Sequence, residues 1–475
     1  MARYVTTTLP YVNASPHLGH ALEFVQADAY VRSLRLGGEE VFFNTGVDEH
    51  GTKVWEKAQE AGQDPQEYVN ALAARFESFA RDINMSYDAF TRTTNPAHKA
   101  AAQEFWKRCD VAGDIYKASY QIKYCVGCEL EKTDSELTDG KCPLHPNQEI
   151  QLIEEENYYF RFSKYQEALL ALYESQPDFV VPSERLNEIR VFVAGGLKDF
   201  SISRRKEKLP WGVPVPGDDE HVMYVWFDAL VNYLSAFGWP EGEETSTVWW
   251  PVTQFAGKDN LRQQSAMWQA MLLSVGLPAS QKIFIHGFIT SGGQKMSKSL
   301  GNVIDPVALM GVYGVDAVRY VLLRHVSPFE DSDLTEENIR GAYTDNLVNG
   351  LGNLVARVMK LAEEHLSKPV ELTEDDLRIE GAFMEKMGAF RFHDAMDLIW
   401  EHIGKGDEFM TTHEPYRKIK NENTADEARA DIEKLVRHIA KIAAHLEPVM
   451  PATSEAILTA VRENKKPENL FPRLP

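Results

Sequence analysis

Three groups of residues in this chain have the types and spacing to do chemistry. Cys125-x2-Cys128-x13-Cys142-x2-His145 sets two close pairs on either side of a short loop, the spacing of a tetrahedral zinc knuckle. Thiolate and imidazole donors suit zinc. Four protein ligands leave no open coordination position, so one structural ion is expected, holding a core-poor loop together. His17-Leu18-Gly19-His20 stands where a loop gives way to a helix. Orphan N–H groups and the helix dipole favour an anion there. Two imidazoles three residues apart share a helix face, and Gly19 offers bare backbone to a flat ring. The motif therefore reads as a nucleotide site, phosphates near the histidines and adenine on the glycine, or as two exposed histidines at a helix start. Lys295-Met296-Ser297-Lys298-Ser299, behind Ser291-Gly292-Gly293, reads as a phosphate-grasping loop or as a solvated basic loop. Lysine would act there as a point charge.

The elements that must position these groups follow from periodicity. Residues 3–8 are β-prone, and Leu9 to Pro16 breaks the run. Helical spacing runs from His17 to a stop at Gly37-Gly38. A strand is expected over 40–45, a loop over 46–51, and helices over 52–62, 65–83 and 96–112. Alternating strand and helix predicts an α/β fold with a Rossmann-type parallel sheet. Residues 114–220 hold the cysteines, an acidic stretch at Glu154–Glu156 and a loop-like end, and read as an insertion. Strand signals return at His221–Trp226 and Lys282–Ile285, with helical pattern between them. Beyond 335 two stripes, Leu347, Leu351, Leu354, Val355, Val358, Leu361 and Ile432, Leu435, Val436, Ile439, Ile442, predict a helix bundle. The expected division is 1–113 and 221–334 for the two halves of the parallel-sheet domain, 114–220 for the insertion and 335–475 for the all-α module.

Composition narrows the class. Of 475 residues, 44% are apolar and 25% charged, which excludes a mainly disordered or fibrous chain. The net charge of −21 excludes a generic coater of nucleic acid. A local basic patch would still allow a nucleic-acid partner. Four cysteines, three of them between 125 and 142, do not form a secreted disulfide scaffold. Cys109 stands apart and is expected as a buried free thiol. The N-terminus MARYVTTTLP lacks the basic and apolar regions of a signal peptide. No apolar run reaches the roughly 18 residues of a membrane helix. A soluble cytoplasmic protein with no membrane partner is expected.

Taken together, His17-Leu18-Gly19-His20 and Lys295-Met296-Ser297-Lys298-Ser299, in this order and about 275 residues apart, resemble the signature of class I aminoacyl-tRNA synthetases. Leu9-Pro10-Tyr11-Val12-Asn13, Thr45 to Gly51, Ser201-Ile202-Ser203-Arg204, Tyr224 to Ala229 and Gly257-Lys258-Asp259 resemble the methionyl-tRNA synthetase family within that class. The resemblance runs along nearly the whole chain. It implies that methionine carboxylate attacks the α-phosphorus of ATP, giving methionyl-adenylate and pyrophosphate. The adenylate then esterifies the terminal adenosine of a tRNA. It assigns His17, His20, Lys295 and Lys298 to catalysis, with Gly19 and Ser297 beside the ATP and Mg²⁺ accompanying it. Leu9, Tyr11, Trp226, Ala229 and Tyr233 would wall the methionine, and Asp48 would take its ammonium. Gln264 stands where the family usually has a pocket histidine, and Asn260 replaces an aliphatic residue. Gln264 can still hydrogen-bond a tyrosine hydroxyl such as that of Tyr11 or Tyr233. Asn353, Arg357 and Tyr416 would read the anticodon. Tyr416 stands where the family usually has tryptophan. Over 331–475, 19 Lys and Arg face 28 Asp and Glu. Contact with tRNA must therefore use a local strip, for which Arg417, Lys418 and Lys420 are candidates. The absence of a further C-terminal barrel predicts a monomer. Two rivals remain: another class I synthetase, for which the insertion is too small to be an editing domain, and a non-catalytic tRNA-binding relative.

Overall fold

Short apolar runs punctuated by Gly, Pro and Asn build the first strands, β1 (Ala2–Thr6), β2 (Glu40–Val47) and β3 (Ala89–Arg92). The computed structural model describes residues 2–132, 136–241, 248–295 and 304–474. Further strands are β4 (Ile115–Cys125), β5 (Leu130–Lys132), β6 (Gln151–Phe160), β7 (Val180–Val181), β8 (Phe200–Ser201), β9 (Ser203–Arg205), β10 (Pro214–Val215) and β11 (Asp218–Met223). They are followed by β12 (Val252–Gly257) and β13 (Lys282–His286). Two compact units emerge: Met1–Ser15, Val41–Ser78 and Tyr87–Ile285 form one, and Pro16–Glu40, Phe79–Ser86 and His286–Pro475 the other.

The first unit holds a six-stranded sheet in the order β3-β2-β1-β12-β13-β7. Its pairs β1–β12, β2–β3 and β13–β7 are parallel, with Tyr4 opposite Val252, Asn44 opposite Ala89 and Ile283 opposite Val180. The order turns around at the β1–β12 pair. In open α/β sheets the crevice beyond the carboxyl ends at such a point is where ligands bind. Helices between the strands have readable starts. The Pro96–Val111 helix has Pro in its first turn, and Asn95 caps it by accepting from Ala97 N–H at 2.9 Å. Its Phe105 ring lies 5.6 Å from the Trp268 ring and 5.9 Å from the Trp239 ring, in one large aromatic core. Cys109 on the same helix is a buried free thiol. Burial pushes that thiol up to about 12, so it stays protonated and inert. A second, four-stranded sheet, β5-β4-β6-β8, carries the cysteine cluster.

The strand expected at His221–Trp226 is corrected. Only β11 is strand, and it pairs antiparallel with β9 and β10 in a separate small sheet. Val225–Ala229 is a short helix. An apolar run buried on every side has no alternation to separate strand from helix. For the same reason β12, fully buried along its length, is hidden from a search for alternating residues. β3 and β7 were also not foreseen, and β7, inside 114–220, completes the parallel sheet.

In the second unit the Leu18–Leu36 helix runs up to Gly37. β14 (Ile289–Ser291) and β15 (Gln294–Lys295) form a hairpin beside β16 (Ser332–Asp333). Gly292 and Gly293, at φ 64° and 71°, supply the two left-handed positions of its turn. Helices Asn353–His365, Phe392–His413, Ala425–Leu446 and Pro451–Glu463 make the C-terminal module. Its predicted stripes are buried, except that Leu361 is half-buried. Among the described residues no single helix is long and apolar enough to cross a membrane.

Candidate active site and metal centre

Beyond the carboxyl end of β1 the chain runs through half-buried Leu9 to Tyr11 and joins the loop after β2. Asp48 N–H donates to Pro10 O at 2.9 Å, and Val12 N–H to Asp48 O at 3.1 Å. Tyr11 and Asp48 thus lie side by side as an isolated parallel bridge. The Trp226 ring stands edge-on to the Tyr11 ring at 6.0 Å. Ala229 is buried one helical turn further on.

Asp48 is 2% exposed. Burial first, then the Asp228 and Glu129 carboxylates, push its carboxyl well above the usual range. Asp48 Oδ1 accepts a long hydrogen bond from His50 N–H at 3.3 Å. Asp228 is compensated differently. Burial raises its carboxyl, but His50 and His98 outweigh that and hold it below its ordinary value. His50 Nδ1 lies 2.9 Å from one oxygen and His98 Nε2 3.3 Å from the other, while His98 Nδ1 meets Ser235 Oγ at 2.9 Å. These three residues lock the loop of Asp48 to the helix of Trp226 and Ala229. Sequence reasoning quoted His50 and Asp228 within motifs but gave them no part. Their signal was ionisable type inside otherwise apolar or turn-like runs. The Tyr11 hydroxyl is buried beside the Glu129 carboxylate, and the Trp226 indole N–H is buried without a hydrogen-bond partner.

Tyr233 is fully buried, and its hydroxyl accepts from Gln264 Nε2 at 2.8 Å; Gln264 Oε1 accepts in turn from Gln254 Nε2 at 2.8 Å. The amide therefore fixes a tyrosine hydroxyl, as expected, and the tyrosine is Tyr233. Asn260 ends a short 3-10 turn and is half-exposed.

In the second unit His17 and His20 form a reciprocal cap on the Leu18–Leu36 helix. Gly19 N–H donates to His17 Nδ1 at 3.1 Å, and His17 N–H to His20 Nδ1 at 3.2 Å. The rings stack at 3.7 Å. Since each Nδ1 accepts, each neutral imidazole carries its proton on Nε2. Desolvation, then the neighbouring His17 and His286 imidazoles, hold His20 well below the usual histidine value. A Cβ on Gly19 would stand 3.0 Å from His17 Cε1, so the missing side chain makes room for that ring. Lys295 is the last residue of β15, its backbone opposite Thr290. Asp333 anchors the hairpin, accepting from Gly293 N–H at 2.8 Å and Thr290 Oγ1–H at 3.0 Å. Ser297 and Lys298 lie outside the described residues.

Cys125, Cys128, Cys142 and His145 bring their ligand atoms within 4.8 Å of one another. His145 Nδ1 is 3.8, 3.3 and 3.9 Å from the sulfurs of Cys125, Cys128 and Cys142, and the Cys128 and Cys142 sulfurs are 3.5 Å apart. A zinc tetrahedron has edges of about 3.5–3.8 Å, so this donor set fits the ion. Gly127 is needed for the approach, since a Cβ there would fall 2.3 Å from His145 Cγ. Gly127→Ala is expected to weaken metal binding about 10–100-fold, the cost of disturbing a ligand's support. Competition with a chelator, read by atomic absorption, checks this; unchanged retention would refute it.

In the C-terminal module Asn353 is exposed, and Arg357, one turn on, reaches Asp407 at 3.1 Å. Half-buried Tyr416 has the Arg417 guanidinium 5.8 Å from its ring centre. Arg417 is tied to Glu414, and Lys418 to Glu427 and Asp431. Lys420 is exposed.

The family described as tRNA synthetases class I (M) matches residues 3–151 and 135–359. The methionine–tRNA ligase of Thermotoga maritima is 39% identical over 98% of this chain and 76% of its own length. That of Thermosynechococcus vestitus is 41% identical over 95% and 88%. A Mycobacterium tuberculosis methionyl-tRNA synthetase structure in complex with methionyl-adenylate superposes with a TM-score of 0.89 at 35% identity, covering 100% of this chain and 99% of that one. With a family match over most of its residues and identity of this order along nearly its whole length, the chain belongs to the methionyl-tRNA synthetase family of class I aminoacyl-tRNA synthetases.

Proposed function

We propose that this chain, a methionine–tRNA ligase by family, activates methionine on the Asp48 pocket and uses His17 and His20 on the phosphates of ATP. The observation that carries the reading is Asp48: a buried carboxylate, crowded by two others, beside the Tyr11 and Trp226 rings. Such a place stabilises a cation. The α-ammonium of methionine meets that need, and its thioether suits aromatic walls. Leu9, Tyr11, Trp226, Ala229 and Tyr233 are the walls, with Gln264 holding Tyr233 in orientation.

The methionine carboxylate attacks the α-phosphorus, the bond to the β-phosphate oxygen breaks, and pyrophosphate leaves. Phosphoryl transfer of this kind depends on position and charge stabilisation. The Nε2–H groups of His17 and His20, their tautomers fixed by the helix cap, donate to phosphate oxygens. Lys295 and Lys298, with Ser297, close on the departing pyrophosphate. Gly19 lies along the adenosine. Mg²⁺ bound with ATP offsets phosphate charge. In the second step a hydroxyl of the terminal adenosine of tRNA attacks the carbonyl and AMP leaves.

Cys125, Cys128, Cys142 and His145 hold one zinc ion, which supplies folding energy to the insertion and no open coordination position. Asn353, Arg357 and Tyr416 meet the anticodon. Arg357, Arg417 and Lys418 exchange their carboxylate partners for phosphates or bases on binding, and Lys420 adds to the strip. The boundaries 1–113, 114–220, 221–334 and 335–475 are retained as a functional division, and the chain works as a cytoplasmic monomer. The test is ATP–pyrophosphate exchange with each amino acid in turn. Exchange with methionine alone is expected. Exchange with another amino acid, or with none, would overturn the reading.

A further inference from the structure

The insertion contributes one carboxylate that the reaction as described does not use. Glu129 directly follows the ligand Cys128, in a left-handed backbone conformation with φ 51°. It is fully buried, an unusual place for a glutamate. Its position is held from several sides. Glu129 Oε1 accepts from Lys53 N–H at 2.9 Å, its backbone carbonyl accepts from the Tyr224 hydroxyl, and its N–H donates to Val126 O at 3.3 Å. Glu129 Oε2 lies over Gly51, where a Cβ would come within 3.2 Å. That oxygen faces the Tyr11 hydroxyl, its electrostatic and hydrogen-bonding neighbour. Lys53 reaches back to Gly127 O and lies 5.4 Å from the Tyr11 ring centre. A buried carboxylate joined in this way to the Lys53 N–H and the Tyr11 hydroxyl couples the loop after Asp48 to the Tyr11 side chain.

We infer that Glu129 is a positioning residue of the methionine pocket: from the metal-binding insertion it fixes the loop after Asp48 and the Tyr11 side chain where the substrate ammonium is received. The inference rests on the assignment of Asp48 to that ammonium. It predicts that the knuckle acts on amino-acid affinity through this one side chain.

The test uses the full metal-loaded chain carrying Glu129→Gln, which keeps shape and removes charge. The KM for methionine in pyrophosphate exchange is expected to rise about tenfold, while the KM for ATP stays within about twofold. Bound zinc should equal that of the unsubstituted chain. Methioninol, which keeps the ammonium and thioether but lacks the carboxylate, should weaken by the same factor in a tryptophan fluorescence titration. An unchanged methionine KM in the zinc-loaded variant overturns the inference. So does a parallel rise in both KM values with loss of zinc, which is what a merely structural role produces. If Glu129→Gln does not fold, Tyr224→Phe removes the hydroxyl that holds the Glu129 backbone carbonyl. It should raise the methionine KM about threefold with the ATP KM unmoved; no split between the two overturns the inference. Were the unsubstituted chain to show no methionine-dependent exchange, the functional reading would fail by itself. The methioninol titration would still decide the part played by Glu129.

Discussion

Replacing Asp48 by asparagine is expected to lower kcat/KM for methionine in pyrophosphate exchange about 10³-fold while the protein stays folded. Asparagine fills the same volume but turns a neutralising carboxylate into an amide that presents N–H groups to an ammonium. Removing one partner of a buried charge pair costs about 3–5 kcal/mol, and every 1.4 kcal/mol is about a factor of ten. The empty pocket gains from the change, because burial and the Asp228 and Glu129 carboxylates already disfavour the ionised Asp48. The Tm of Asp48→Asn is therefore expected to hold or rise as activity falls. A pH signature follows. Only ionised Asp48 holds the ammonium, and its carboxyl titrates above the ordinary carboxylate range. As pH falls through that raised value, the methionine KM of the unsubstituted protein should climb. In Asp48→Asn this limb should vanish. A variant with ordinary KM and the same pH profile would remove Asp48 from the site.

The second large effect concerns stability. Arg319 is fully buried. It donates to Asp28 Oδ2 at 2.7 Å, Val449 O at 2.9 Å and Ile83 O at 3.1 Å. Asp28 also accepts from Ser86 N–H at 2.7 Å and Arg32 Nε–H at 2.8 Å. The pair ties the Leu18–Leu36 helix to the segment after the Ala425–Leu446 helix. Arg319→Leu leaves Asp28 charged and several carbonyls without donors, and is expected to cost about 3–5 kcal/mol. Burial raises the Asp28 carboxyl, but Arg319 and Arg32 outweigh it and hold it below its ordinary value. Its contribution is thus complete above the unfolded-state value and lost as pH falls through the lower folded one. Urea unfolding at neutral and acid pH checks both statements. The gap between Arg319→Leu and the unsubstituted chain should narrow in acid. A neutral-pH difference below about 1 kcal/mol would show that the pair is dispensable.

Much of this site was legible because its residues are punctuation as well as chemistry. His17 and His20 stand at a helix start that Pro16 and Gly19 announce, and the four metal ligands declare themselves by spacing. Tyr11 and Asp48 came from the motifs of the family. Their adjacency is a product of strand pairing, which no local pattern encodes. His98 and Ser235 were invisible, since they act on Asp228 from elsewhere in the chain. Glu129 was hidden by its neighbours: beside a cysteine ligand, a glutamate reads as surface. Among the strands missed, β12 is buried on both faces and β7 is two residues long, so neither carries alternation.

The histidine cap has a consequence for how this helix start can change over time. Each imidazole satisfies an orphan backbone donor with Nδ1 and keeps Nε2 as a second polar atom. Serine or aspartate would cap as well, but would lose the ring's second nitrogen. Alanine would lose both. The helix cap and the second ring nitrogen therefore fall on the same two side chains, and neither serine nor alanine keeps both. The ring orientation at this helix start is then a property of the folded chain before any substrate arrives.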